Sequence, residues 1–344
     1  MLPWSDELAG RIDEHVFTSE LLRENPLGDP YERPLWVYVP PGYDADQGVR
    51  YPSVYVIQGY TGHLAMWRNR APFRQPFPET ADKVFASGAA PGAIIVYVDA
   101  WTSVGGSQFL DSPGTGRYHS YLCDEVVPWV DAHYRTLAGR DHRAITGKSS
   151  GGYGAMITPM LRPDLFGALA THAGDAQFEA CLAPAFPSLA RALRDHYHGS
   201  YPAFLDDVKG RTLGIHEMDI ELMEMYGYAS AYSADADGTV RMPFDETGRL
   251  VPDVWERWLV NDPVRMARRP EYARALASMR AIWIDAGTRD EFYLDLGATA
   301  FHRAVRDAGV ADRDIRFELF DATHMGIDYR YPLSLAWLAD RIAA

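Results

Sequence analysis

The chain has 344 residues, 47% of them hydrophobic and 23% charged, which argues against a disordered chain and allows one large α/β domain or two smaller ones. A formal net charge of −14, offset by no basic run or stripe, argues against a nucleic-acid or anionic-membrane partner and disfavours a strongly anionic substrate. Two cysteines, Cys123 and Cys181, stand in no metal-binding spacing, and no stretch approaches the roughly 20 apolar residues of a membrane span.

The N-terminal "MLPWSDELAGRIDEH" has no basic region followed by an apolar run, so no secretory signal is visible and a soluble, cytoplasmic setting is expected. Within 13–40, "HVFTSELL" followed by "PLWVYVP" predicts an antiparallel edge hairpin with a long connection. Strands are then predicted at 35–40, 53–59, 93–99, 142–147, 166–174, 281–287 and 315–320. They are rich in Val, Ile, Tyr and Phe, and several are apolar on both faces, as buried parallel strands are.

Helical patterns lie between them. Leu294, Ala298, Phe301, Val305 and Ala308 form one stripe, and Gly309 stands where that helix stops. A last helix is expected to begin near Pro332, with Leu335, Leu338 and Ile342 on one face. The alternation predicts an α/β fold with a mostly parallel central sheet and helices on both faces. It is interrupted over 176–280, where "SADADGTVRMPFDETGRLVPDVWERW" reads as turns, a short hairpin and a helix. This segment is expected to be a cap-like insertion over the C-terminal edge of the sheet, within a single domain spanning 1–344.

One motif carries chemistry. Gly147-Lys148-Ser149-Ser150-Gly151 matches G-x-S-x-G, follows a predicted strand and opens a helical stretch. Such a turn strains the serine backbone and presents its hydroxyl at a helix N-terminus, where N–H groups favour developing negative charge. The glycine register selects Ser149 as nucleophile and leaves Ser150 to offer its backbone N–H. Pro159 should kink or shorten the helix that follows.

A serine hydroxyl needs a base, and the base needs an orienting acid, in the chain order Ser, Asp or Glu, His. Only His302 and His324 fall late enough. His302 sits one position off its helix's apolar stripe and should face solvent, whereas His324 follows the last strand in a loop and is the expected base. "WIDAGTRDEFY" offers Asp285, Asp290 and Glu291 as acids. Asp285 ends the strand, while Asp290 lies in the loop proper with more freedom to reach an imidazole. A second oxyanion N–H is expected after an early strand, in "VIQGYTG", where Gly59 permits a tight turn and Tyr60 supplies the donor.

These residues resemble the esterase D family of α/β-hydrolases, which includes S-formylglutathione hydrolases, feruloyl and acetylxylan esterases, enterochelin esterases and mycolyltransferases. The resemblance runs through "VYVPPGYD" (37–44), "QGYTG" (58–62), "DSPGTGRYHSYLCDEVVPWVDAHYRT" (111–136), the elbow at 147–152, "DAGTRDEF" (285–292) and "THMG" (323–326). It implies an α/β-hydrolase fold, with Ser149 as nucleophile, Asp290 as acid and His324 as base. It also implies oxyanion N–H groups from Tyr60 and Ser150. Gln58 departs from the apolar or His residue many members carry there, and the 176–280 segment departs from the compact members.

Other signals weigh less. His196, His198, His216, Glu217 and Asp219 suggest a metal but lack a full ligand set, and "DADG" (235–238) lacks the closing acid of a calcium loop and reads as a turn. Trp67, Trp101 and Tyr118 are candidates to line a substrate pocket. The expected function is a serine esterase that needs no metal or cofactor and acts on a small ester, with neutral or aromatic esters favoured. Acyl transfer to an alcohol on the same triad, and a catalytically idle ligand- or partner-binding fold, are the alternatives.

Overall fold

The computed structural model describes residues 7–70, 74–211 and 216–343; the opening "MLPWSD" of the N-terminal segment lies outside the described residues. Eight strands form one sheet. They are β1 (Arg11–Thr18), β2 (Glu32–Val39), β3 (Ser53–Ile57), β4 (Ile94–Val98), β5 (Arg143–Lys148), β6 (Ala168–His172), β7 (Ala281–Gly287) and β8 (Ile315–Phe320). Their spatial order is β1-β2-β4-β3-β5-β6-β7-β8. β2 runs antiparallel to both β1 and β4, and every other pairing is parallel, so the expected edge hairpin and parallel body are both present.

The apolar runs form central strands because both of their faces are covered. Side chains alternate between faces along a strand. Tyr55, Ile57, Val96, Ile145, Leu169 and Ile284 enter one core cluster, while Val54, Val56, Ile95, Tyr97, Ala170 and Trp283 enter the other. Helices α1 (Phe77–Ala86) and α5 (Arg330–Ile342) cover the second face with Phe77, Phe85, Leu335 and Leu338. Helices α2 (Ser150–Leu161) and α4 (Leu294–Asp307) cover the first. α4 ends as its stripe predicts, with Gly309 at φ +93°. α2 ends two residues after Pro159.

Between β6 and β7 the chain is mainly helical, including Phe186–Tyr197, Tyr201–Gly210, α3 (Asp219–Tyr232) and Pro252–Leu259. Its buried aromatics Phe186, Tyr228, Tyr232, Trp255 and Trp258 belong to the same cluster as the cores of α2 and α4. "DADG" is a turn: Asp235 pairs with Arg241 and Arg257, and an isolated bridge links Ala234 to Val240. Among the described residues, no helix is long and apolar enough to cross a membrane, and both cysteines are free.

Candidate active site

Ser149 joins β5 to α2 at φ 58° and ψ −128°, a backbone that non-glycine residues adopt only when the surroundings enforce it. The enforcement is local. Ser149 N–H donates to the carbonyls of His172 at 3.0 Å and Ala173 at 3.1 Å. Neighbouring backbones come too close for side chains: a Cβ on Gly151 would lie 2.6 Å from Ile57 O, and one on Gly152 would lie 2.7 Å from Gly174 Cα. The glycines around Ser149 are therefore required by packing.

The loop after β3 closes on the elbow. A Cβ on Gly59 would lie 3.5 Å from Ser149 Cβ, which brings the start of the Tyr60 segment against the serine. The Tyr60 ring is buried, and its hydroxyl donates to Val104 O. Gln58 explains its departure from the family pattern. With its amide oriented by its neighbours, it donates to Val98 O at 2.6 Å and accepts from Ala100 N–H at 2.8 Å, latching this loop to the end of β4.

His324 and Asp290 meet. His324 Nδ1 lies 2.9 Å from Asp290 Oδ2, and both residues are 5% exposed. Asp290 Oδ1 accepts from Phe292 N–H at 2.9 Å, while His324 N–H donates to Glu291 Oε2 at 3.0 Å. The Phe292 ring stands edge-on to the imidazole, 5.0 Å between centroids. Asp285 is committed elsewhere: it accepts from His172, Trp283 Nε1 and Arg330 Nε. Burial alone would raise its carboxyl, yet His172 and Arg330 help hold it below the usual carboxylate range. His302 is half-buried and stacked on Phe317 at 4.2 Å, so it does not simply face solvent.

Beside the elbow lies a polar cluster that no sequence pattern announced. Ser150 Oγ donates to Asp175 Oδ2 at 3.2 Å, and the Tyr228 hydroxyl lies 3.1 Å from the same oxygen and 3.0 Å from Glu224 Oε1. Gln108 Nε2 donates to Tyr232 and Asp175. Burial raises the Asp175 carboxyl, and burial together with the Asp175 charge pushes Glu224 up to about 7. Lys148 carries the opposite effect, since burial lowers its ammonium while the charges of Asp328, Asp290, Glu291 and Asp175 oppose the shift.

The aromatic candidates separate. Tyr118 has no exposed surface and lies in the core with its ring facing Arg33, so it is a packing residue, contrary to its expected place on a pocket wall. Trp67 is 4% exposed and packs on Phe77, Tyr97 and Tyr331. It also contributes to a cleft of about 460 Å³ shared with Phe77, Arg74, Gly326 and Tyr329, beside the His324 loop. Trp101 is exposed, edge-on to His63. His196, His198, His216 and Glu217 line one cleft of about 620 Å³, yet among the described residues no three potential ligands converge. Asp219 pairs with Arg211 and accepts from His216 N–H.

The Esterase family model matches residues 30–325. A 134-residue segment is 26% identical to an endo-1,4-beta-xylanase/feruloyl esterase of Xylanibacter ruminicola, covering 38% of this chain and 18% of that protein. A 63-residue segment is 32% identical to the esterase Rv1288 of Mycobacterium tuberculosis, covering 18% of this chain and 14% of that protein. The matches therefore span a small part of each relative. Among solved structures, a ferulic acid esterase superposes with a TM-score of 0.61 at 20% identity, covering 98% of this chain and 100% of that one. An S-formylglutathione hydrolase from Agrobacterium tumefaciens superposes with a TM-score of 0.56 at 19% identity, covering 98% of both. These likenesses show a shared α/β-hydrolase fold. Because the family model runs through the elbow and the Asp290 loop and ends one residue past His324, the chain belongs to the Esterase family.

Proposed function

We propose that the protein is a serine carboxylic-ester hydrolase that works through an acyl-enzyme on a Ser149–His324–Asp290 triad. The observation that carries this reading is the 2.9 Å contact between His324 Nδ1 and Asp290, on the loops after β7 and β8 of the sheet whose β5 leads into the strained Ser149. With Nδ1 committed to Asp290, Nε2 is the nitrogen left to accept the Ser149 proton.

Ser149 Oγ attacks the ester carbonyl as His324 takes its proton, and the oxyanion is met by the N–H groups of Tyr60 and Ser150. The imidazolium then protonates the leaving alcohol. Water, activated by the same imidazole, releases the acid and restores the serine. Asp290 holds the imidazole in one tautomer throughout.

Residues 176–280 act as a cap-like insertion of this single domain. Support comes from α3, which places Tyr228 3.3 Å from Ser150 Oγ. The ester is neutral or aromatic: the chain's charge is −14, one relative is named a feruloyl esterase, and the cleft beside the His324 loop is lined by Trp67, Phe77 and Tyr329. Ser149→Ala tests the whole reading. It should lower kcat on short p-nitrophenyl esters by a factor on the order of 10⁶, and a variant that turns over like the parent would refute it.

A further inference from the structure

The structure contains a second Ser–His–Asp succession. Ser334 Oγ lies 2.9 Å from His172 Nε2, and His172 Nδ1 lies 2.7 Å from Asp285 Oδ1. It has no access to substrate, since all three residues are fully buried and Ser334 Oγ is turned into its own helix, donating to Tyr331 O at 3.1 Å. We propose that this array, together with Arg330, is a positioning device that keeps the Ser149 elbow and the His324 loop in register, so that turnover depends on residues that never touch the ester. The proposal rests on Ser149 being the nucleophile.

The reason lies in what the array holds. The N–H of Ser149 is anchored on the carbonyls of His172 and Ala173. Ser149 and Ala173 are both non-glycine residues at positive φ, 58° and 43°, a conformation that persists only where neighbours over-determine it. Asp285 supplies that constraint twice over. Its backbone carbonyl accepts the Ala173 N–H at 2.7 Å, and its carboxylate grips the imidazole of His172.

The same carboxylate reaches the base. Asp285 Oδ2 accepts from Arg330 Nε at 2.8 Å and from Trp283 Nε1 at 2.7 Å. Arg330 is the first residue of α5, and its N–H donates to Ile327 O at 2.9 Å, closing the loop that carries His324. Its other arm reaches Glu318 on β8. Asp285 itself lies on β7, just ahead of the turn that leads to Asp290. One buried carboxylate thus ties together the approaches to all three triad residues. Buried charge networks are weak evidence for stability because desolvation offsets their attraction, and fixed geometry is what such a network supplies here.

Asp285→Asn keeps the shape and removes the charge. The folded variant should show kcat on p-nitrophenyl acetate lowered about 10–100-fold, with KM within about threefold of the parent and fluorophosphonate labelling of Ser149 slowed in proportion. Adding Ala173→Gly, which adopts positive φ without strain, should recover part of the lost kcat. A role in stability alone predicts a lower Tm with parental kcat and labelling rate well below that Tm, and that result overturns the proposal, as does an Ala173→Gly change that recovers nothing. If Asp285→Asn does not fold, Ser334→Ala carries the test, because it removes one bond to His172 and leaves the charges paired. Lowered kcat at constant KM supports the array, and parental kcat overturns it. Ser149→Ala run in parallel keeps the two readings apart: activity surviving there removes the nucleophile assignment itself, whereas an inactive Ser149→Ala beside a parental Asp285→Asn removes only the array.

Discussion

The hydroxyl of Tyr228, on helix α3 between β6 and β7, stands 3.3 Å from Oγ of Ser150, the residue after Ser149. The same hydroxyl lies within hydrogen-bonding distance of both Asp175 and Glu224, yet it carries only one proton to donate. For both carboxyl contacts to be hydrogen bonds, one carboxyl must be protonated and donate to the tyrosine oxygen. Helix α3 is therefore joined to the start of α2 through a cluster whose geometry depends on protonation.

That dependence has a definite sign. Burial and the Asp175 charge raise Glu224 from 4.5 to about 7 in the folded protein. Between those values the folded chain holds a proton that the unfolded chain has lost. The stability this contributes is fully present below the unfolded pKa and is lost as pH rises through the folded pKa, a change on the order of 3 kcal/mol. Asp175, raised in the same direction, adds to it. Thermal melts from pH 5 to 8 should show Tm falling toward the alkaline side, and Glu224→Gln should flatten the slope. A variant whose slope matches the parent's would remove Glu224 from this account.

The elbow's glycines make a second test. A methyl group on Gly151 would lie 2.6 Å from Ile57 O and 2.7 Å from Gln58 O, both backbone atoms that cannot rotate away. At Gly139 a methyl group meets nothing within 4 Å, and the backbone there is extended, with φ −136°. Gly151→Ala should destabilise by about 1–3 kcal/mol or more, while Gly139→Ala should be close to neutral. Urea midpoints for the pair would decide it.

Around His324, two acids play unequal parts. Asp290 holds Nδ1, whereas Glu291 holds only the backbone N–H. Asp290→Asn can invert the tautomer and should lower kcat by about 10⁴. Glu291→Gln keeps an acceptor for the N–H and should cost less than about tenfold, in line with one weakened hydrogen bond. Equal losses in the two variants would contradict the assignment of Asp290.

Much of the sheet was legible because buried parallel strands are written as unbroken apolar runs, and the seven predicted runs all became strands. Motif register and chain order single out Ser149 and His324, but spacing leaves both Asp285 and Asp290 open, and the Asp290–His324 contact is seen only once the loop after β7 has its shape. The segment between β6 and β7 hid most. Helix α3, "DIELMEMYGYASAY", carries apolar and polar residues on nearly every side because it is buried around most of its girth, with Leu222, Met225, Tyr228, Ala229 and Tyr232 all inside. A single amphipathic stripe therefore never emerges. Asp175, Glu224 and Tyr228 meet across about fifty positions of sequence, and no local period encodes such a meeting. Tyr118 misled for a related reason: closeness to a motif along the chain says nothing about which way a ring packs.

The aromatic candidates give the last test, since Trp67 and Trp101 now carry opposite expectations. Trp67 is wedged against Phe77, Tyr97 and Tyr331 on the face covered by α1 and α5, so Trp67→Ala would open a void that the rings around it cannot fill. Such truncations cost about 3–5 kcal/mol, enough to lower Tm sharply whatever the substrate. Trp101 is 39% exposed and touches His63 only edge to edge, so Trp101→Ala should leave Tm nearly unchanged. If Trp101 meets substrate, the effect of Trp101→Ala should instead fall on KM, and more for aryl esters than for acetates, because an exposed indole offers stacking area and little else. Melting curves joined to a KM series over aryl and alkyl esters would separate the two tryptophans, and a Trp101→Ala variant that melts early with unchanged KM would reverse their roles.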